Sequence, residues 1–398
     1  MQELLTPPRR QVDAGPFDQI RMVLRSLTWV LALLGTITLV HTQVPEFQSQ
    51  ILWQANTDGY HTYRIPVLLA TPRGTLLAFS EARADGASDA GNIDLVFKRS
   101  IDNGRTWSSM NVICDDGPHT CGNPAPVVDQ ETGVIHLLLT HNFGSDDERS
   151  IILGTSQDVR RVWYTQSIDD GLTWATPRDI SASLREANWR WYATGPVHGI
   201  QLTQGLHKGR LVIPANHSVA SVESNATSYR SHVLFSDDGG YHWQLGGTHG
   251  PYTNESTVVE LSDGTLMLNM RSYHGEQRRA VVTSGDGGVT WSAVSLDSTL
   301  IEPTCQASLL RYRWPTSNYP QGILLFSNPA STTRDHMTIR ASFDDGTSWP
   351  TQRLIERGSS AYSSLARLPN DDIGLLYERA NYQEIIFASF SLDWVLNN

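Results

Sequence analysis

No basic field runs through this sequence: its 398 residues carry a formal net charge of −11, which argues against nucleic acid or an anionic membrane as a partner. Low-complexity tracts and composition breaks are absent too. At 39% hydrophobic and 18% charged residues, the chain is a globular one with length for a large core. Cysteine is scarce, with three residues in all. Cys114 and Cys121 flank a short Asp-Asp-Gly-Pro-His-Thr loop and can close it as a local disulfide in an oxidising compartment. A metal site with His119 as ligand is the weaker reading, because the spacing matches no usual zinc knuckle. Cys305 reads as a buried small hydrophobe. Long apolar runs are also missing. The one from Leu27 to Val40, at about 14 residues, is short for a bilayer span and suits a signal-peptide core. Arg21 and Arg25 precede it and Val40-His41-Thr42 follows as a cleavage site. Residues 1–42 are therefore expected to be a signal peptide, or a signal anchor if uncleaved, with Met22 as an alternative start. Either way the rest of the chain is exported, secreted or membrane-anchored.

What the chain has is repetition. Ser100-Ile-Asp102-Asn-Gly104-Arg-Thr106-Trp107 follows the pattern S-x-D-x-G-x-T-W, which returns at Ser167–Trp174 and Ser284–Trp291, and at Ser236–Trp243 and Ser342–Trp349 with His242 and Ser348 in place of the Thr. Self-similarity at roughly 50–70 residues marks a repeat architecture. Each copy reads as a fastener. Asp and Gly make a tight turn, the carboxylate takes nearby N–H groups, and the Trp packs back.

A second repeat agrees with the first. A turn followed by an apolar strand occurs at Pro72-Arg-Gly74, Glu131-Thr-Gly133, His207-Lys-Gly209, Ser262-Asp-Gly264, Pro320-Gln-Gly322 and Asn370-Asp-Asp372. Between these signals lie short strands, with no helix of length. Six antiparallel hairpin units are too many for one open sheet. They predict an all-β, six-bladed β-propeller in one domain, residues 43–398. Three N-x-S/T sequons begin at Asn216, Asn225 and Asn254.

The five repeats are Asp boxes, and with the motifs below the chain resembles the sialidases (neuraminidases), exo-glycosidases that remove terminal sialic acid. Boxes of this kind also occur in non-enzymatic propellers, so they speak for fold rather than chemistry. The specific matches are Tyr63-Arg64-Ile65-Pro66, Asn269-Met270-Arg271, and Arg334 after Ser327-Asn-Pro-Ala330. In that family such arginines form a three-membered cluster. Planar guanidiniums suit it physically, since they grip a carboxylate bidentately and keep their charge. Leu375-Leu-Tyr-Glu378 matches the glutamate that orients the first arginine.

The resemblance implies further roles. Asp89, in Ser88-Asp89-Ala-Gly91, corresponds to the acid/base on a mobile loop. Asp85 and Asp94 compete with it; Asp85 reads as turn chemistry and Asp94 as structural. Tyr362 corresponds to the nucleophile and Glu255 to its partner, with Glu260, read as a strand-edge surface group, as the rival. Glu81, Arg83 and Asn123 correspond to positions that touch the O4 side of the sugar. The family works without cofactor or metal. The implied reading is a retaining exo-α-sialidase acting on sialylated glycoproteins, glycolipids or oligosaccharides. Alternatives are a Kdn-preferring sialidase, a trans-sialidase, and a non-catalytic sialic-acid-binding propeller.

Overall fold

Among the described residues the six largest hydrophobic clusters each lie between two neighbouring sheets. In the strand Leu76–Arg83, Leu76 joins the cluster that also holds Trp53 and Phe387, while Leu77 joins the one holding Val128 and Ile135. Successive side chains of a strand point to opposite faces, so a sheet with both faces apolar must be packed on both sides. Repeated six times, that requirement closes a ring.

The structure, a computed structural model, describes residues 47–397; the expected leader at 1–42 lies outside them. Blade one contains Thr62–Ala70, Leu76–Arg83, Ile93–Ser100 and Asn111–Cys114. Blade two contains Thr120–Val128, Ile135–Asn142, Arg161–Ser167 and Arg178–Asp179. In blade three the inner edge is split: Trp189–Thr194 and Ile200–Gln201 both pair with Leu211–Val219, followed by Tyr229–Ser236 and Gln244–His249. Blade four runs Thr253–Glu260, Leu266–Ser272, Arg278–Ser284 and Ser295–Ile301. Blade five begins with Ser308–Arg313, Ile323–Pro329 and Asp335–Ser342. The 17-residue strand Thr351–Arg367 is its outer edge first and then the inner edge of blade six. Ile373–Arg379 and Glu384–Phe390 continue blade six, and Phe47–Gln54 completes it from the other end of the chain. The propeller expected from the hairpin count is the observed fold. All six predicted turns join the first strand of a blade to its second.

The five boxes terminate the third strand of blades one to five. In the first, the Asp102 carboxylate accepts from the Thr106 amide at 2.9 Å and hydroxyl at 2.6 Å, and from the Ser100 hydroxyl at 2.8 Å. The Gly104 amide donates back to Ser100 Oγ at 2.9 Å. Each box also meets the preceding blade. A Cβ on Gly104, which sits at φ +80°, would lie 2.2 Å from the Phe387 ring; one on Gly346 would lie 2.9 Å from Met267. Only glycine fits such a turn. The boxes are thus fasteners within a blade and spacers between blades.

Cys114 and Cys121 form a disulfide, and Cys305 is buried. Asp94 is structural, accepting from the Tyr60 hydroxyl at 2.5 Å, and Asp85 is exposed in a turn. One expectation fails. Glu260 is a buried residue, because its carboxylate turns inward to accept from the Thr203 and Gln204 amides at 2.7 and 2.9 Å. The sequons at Asn216 and Asn254 are buried as well, so the folded chain can offer neither to a glycan.

Candidate active site

Five of the six inner strands break register near their N-terminal ends. The shifts fall at Arg64/Val67, Gly122/Ala125, Trp189/Tyr192, Thr253/Ser256 and Ser360/Ser363. Bulges re-aim side chains, and here they turn Arg64, Asn123, Glu255 and Tyr362 into one cavity of about 160 Å³ at that end of the axis. Ile65, at φ 60°, and Asn123, at φ 50°, hold left-handed backbone there. For a β-branched residue this is an outlier, of the kind concentrated at functional sites. A larger, mostly apolar cavity of about 390 Å³ occupies the far ends of the inner strands, between Leu68, Val127, Val259, Leu309 and Leu365. It contains none of the expected site residues.

The polar cavity gathers nearly all of them. Arg64, Arg271 and Arg334 line it together with Asp89, Glu81, Arg83, Asn123, Glu255 and Tyr362. Glu378, fully buried, lies behind: it accepts from Arg64 Nε at 2.7 Å, from the Ile65 amide at 2.9 Å and from the Tyr362 amide at 3.1 Å. One carboxylate therefore orients the first arginine and the backbone of the tyrosine at once. The Tyr362 hydroxyl donates to Glu255 Oε1 at 2.5 Å, and Arg271 Nη1 donates to Glu255 Oε2 at 2.9 Å and to the tyrosine oxygen at 3.3 Å. Burial and the neighbouring Glu255 charge push the Tyr362 phenol well above its ordinary range, with Arg271 and Arg334 opposing. Tyr362 is therefore neutral at rest, beside a carboxylate placed to take its proton.

A second group sits across the cavity. Arg83 donates to Glu81 Oε2 at 2.6 and 3.0 Å, and the other Glu81 oxygen accepts from the Asn123 amide at 2.8 Å. Asp89 rides on the loop after the strand Leu76–Arg83. Its side chain is 66% exposed at the rim, 2.7 Å from Arg83 Nη2 and 3.9 Å from Arg64 Nη1. Partial desolvation opposes its charge, but Arg83 and Arg64 outweigh it and hold the carboxyl below its usual range.

Other residues of this wall had no motif to reveal them. Arg160 is buried over the Trp191 ring at 4.0 Å, and burial pulls its guanidinium down to about 10. Glu148, on the helix Glu148–Leu153, accepts from the Tyr229 hydroxyl at 2.8 Å, and burial raises its carboxyl. Ala193, Tyr273, Asn254 and Asn216 also line the cavity. Both side-chain polar atoms of Asn216 lack a protein partner.

A family model described as "BNR repeat-like domain" matches residues 56–376. An exo-alpha-sialidase of Aspergillus fumigatus is 30% identical over 90% of this chain and 91% of its own length. The chain belongs to the sialidase family. A sialidase of Micromonospora viridifaciens is 35% identical over 88% of this chain, which spans 55% of that relative's length. Among solved structures, the Hadza microbial sialidase Hz136 superimposes with a TM-score of 0.78 at 30% identity, covering 88% of this chain and 69% of the other.

Proposed function

We propose that this chain is a retaining exo-α-sialidase, removing terminal sialic acid from glycoconjugates. The observation that carries the reading is the 2.5 Å bond from the Tyr362 hydroxyl to Glu255, beside Arg64, Arg271 and Arg334. Sialic acid bears a carboxylate on its anomeric carbon, and the three guanidiniums are the groups to hold it. A carboxylate nucleophile would approach a carbon already next to a negative charge. At about 4 Å that repulsion is roughly 4 kcal/mol for an effective dielectric near 20. A neutral phenol avoids it but is a weak nucleophile unless a base takes its proton. Glu255 is that base.

The oxygen of Tyr362 attacks the anomeric carbon as its proton passes to Glu255. The glycosidic bond breaks toward the aglycone oxygen, which takes a proton from Asp89, made a weaker acid in the complex because the substrate carboxylate offsets the charge of Arg64. Water, deprotonated by Asp89, then opens the aryl glycoside, and Glu255 returns the proton to the phenol. Two inversions at the anomeric carbon give net retention. Glu81, Arg83 and Asn123 hold the hydroxylated side of the ring. The Cys114–Cys121 disulfide supports an oxidising, exported setting for the enzyme.

Proton NMR of sialyllactose hydrolysis should show the α-anomer of the free sugar first, before mutarotation. A 2,3-difluoro sialic acid should leave its sugar on the peptide containing Tyr362. β-Anomer as the first product, or a label on Glu255 or Asp89, overturns the assignment.

A further inference from the structure

The three clamp arginines are not held alike. Arg64 has Glu378 at 2.7 Å and Arg271 has Glu255 at 2.9 Å. Among the described residues no carboxylate pairs with Arg334. Its Nη1 donates to the Tyr382 hydroxyl at 3.0 Å, and Nη2 makes only a long contact to the Thr304 carbonyl at 3.5 Å. The same tyrosine lies against a second arginine, with the Arg64 guanidinium carbon 4.1 Å from its ring centroid. Tyr382 also packs on the small apolar cluster of Ile65, Cys305, Ala361 and Tyr362.

Its backbone is unusual. Ala380, Asn381 and Tyr382 stand in succession at φ 53°, 53° and 67°, left-handed geometry that L-residues avoid. The loop is pinned by the Ala380 amide to the Ser359 carbonyl at 3.1 Å and by the Asn381 amide to Ser359 Oγ at 3.2 Å. Strain of this kind persists where surrounding structure over-determines it. Here the over-determined object is a phenol aimed at Arg334. An arginine without an ion-pair partner keeps several free torsions, and a ligand that needs it bidentate must freeze them unless the protein already has.

We propose that Tyr382 is a positioning residue of the carboxylate clamp: its hydroxyl fixes the one clamp arginine that lacks a carboxylate, and its ring fixes a second. The proposal rests on the sialidase reading and adds to it a residue that no motif marked.

The test is calorimetric binding of 2,3-dehydro-2-deoxy-N-acetylneuraminic acid and of its methyl ester to wild type, Y382F, R334A and the double variant. Wild type should favour the acid strongly. In Y382F the acid should lose about three- to tenfold in affinity, the worth of one hydrogen bond, while the ester changes by less than about twofold on the same scale. In the R334A background Y382F should cost nothing further, because the two residues act as a unit. Equal losses for acid and ester, or a Y382F effect that persists without Arg334, would show a merely structural tyrosine and overturn the proposal. Failure of wild type to bind the acid would overturn the sialidase reading itself, and this inference with it.

Discussion

At the scale of single residues, neighbouring opposite charges set the protonation of the proposed site. Desolvation opposes the charge of Asp89, but Arg83 and Arg64 hold its carboxyl below the usual range. A substrate carboxylate on Arg64 removes part of that positive field, and a carboxyl that loses a cation becomes a weaker acid. The pH limb due to Asp89 should therefore lie higher in the kcat profile, which reports the complex, than in the kcat/KM profile, which reports the free enzyme. Coincident limbs would mean that Asp89 does not feel the bound carboxylate. Asp89→Ala should harm substrates with poor leaving groups far more than aryl glycosides, and initial rates on matched pairs measure this. For the clamp, Arg334→Lys keeps charge and loses the planar fork, so kcat/KM should fall by about 2–4 kcal/mol of transition-state stabilisation, like the loss of one strong donor. A near-normal kcat/KM would remove Arg334 from the clamp.

At the scale of elements, the box turn explains why the Ser, Asp and Gly of its motif recur in all five copies. Its Asp must accept several donors and its Gly must leave room for the neighbouring blade. Gly104→Ala adds a Cβ at 2.2 Å from Phe387 and forces alanine to φ +80°. The expected cost is about 2–4 kcal/mol, read from the urea midpoint. An unchanged midpoint would show that blade six can move aside.

The box carboxyls also tie stability to acid. Threonine and backbone donors bring Asp169 down to about 2. In Asp238 and Asp286, desolvation opposes the shift and the donors overcome it, again to about 2. A depressed folded-state value contributes stability above the unfolded value near 4 and loses it as pH falls toward 2. The melting temperature should drop across that interval. The triple variant D169N/D238N/D286N should drop less steeply there; parallel curves would mean that other carboxylates set the acid limit.

At the scale of the molecule, the ring is closed by pairing its two ends. Phe47–Gln54 forms seven paired positions with Glu384–Phe390, from Phe47↔Phe390 to Gln54↔Glu384. It carries Leu52 and Trp53 into the cluster between blades six and one. Trp53 is 1% exposed, and truncating a buried tryptophan to alanine costs about 3–5 kcal/mol. Trp53→Ala should thus lower the melting temperature of the whole propeller in one transition, because both neighbours of the seam lose the same contact. A separate early transition confined to blade six would show that the seam is not coupled to the ring.

Repeats that act through nearest neighbours along the chain are legible without a structure. The spacing of boxes and hairpins determined the strand turns, the blade count and the fold class, since the Ser-Asp-Gly turn of each box closes on itself within eight residues, as in Ser100 to Trp107. The arginine contexts and the tyrosine were legible for another reason: they sit in local motifs that a family resemblance can match. Tertiary structure decided what those motifs touch. Arg64 and Glu378 stand 314 positions apart and meet at 2.7 Å. Glu260 looked like a surface group from its strand-edge position and is buried, because a loop from the preceding blade folds over it. Arg160, Glu148 and Tyr382 have no repeating context at all. They line or support the site because a closed ring brings six strand ends, and the loops beyond them, to one axis. That convergence is a property of the closed ring and leaves no periodicity in the chain for a reader to find.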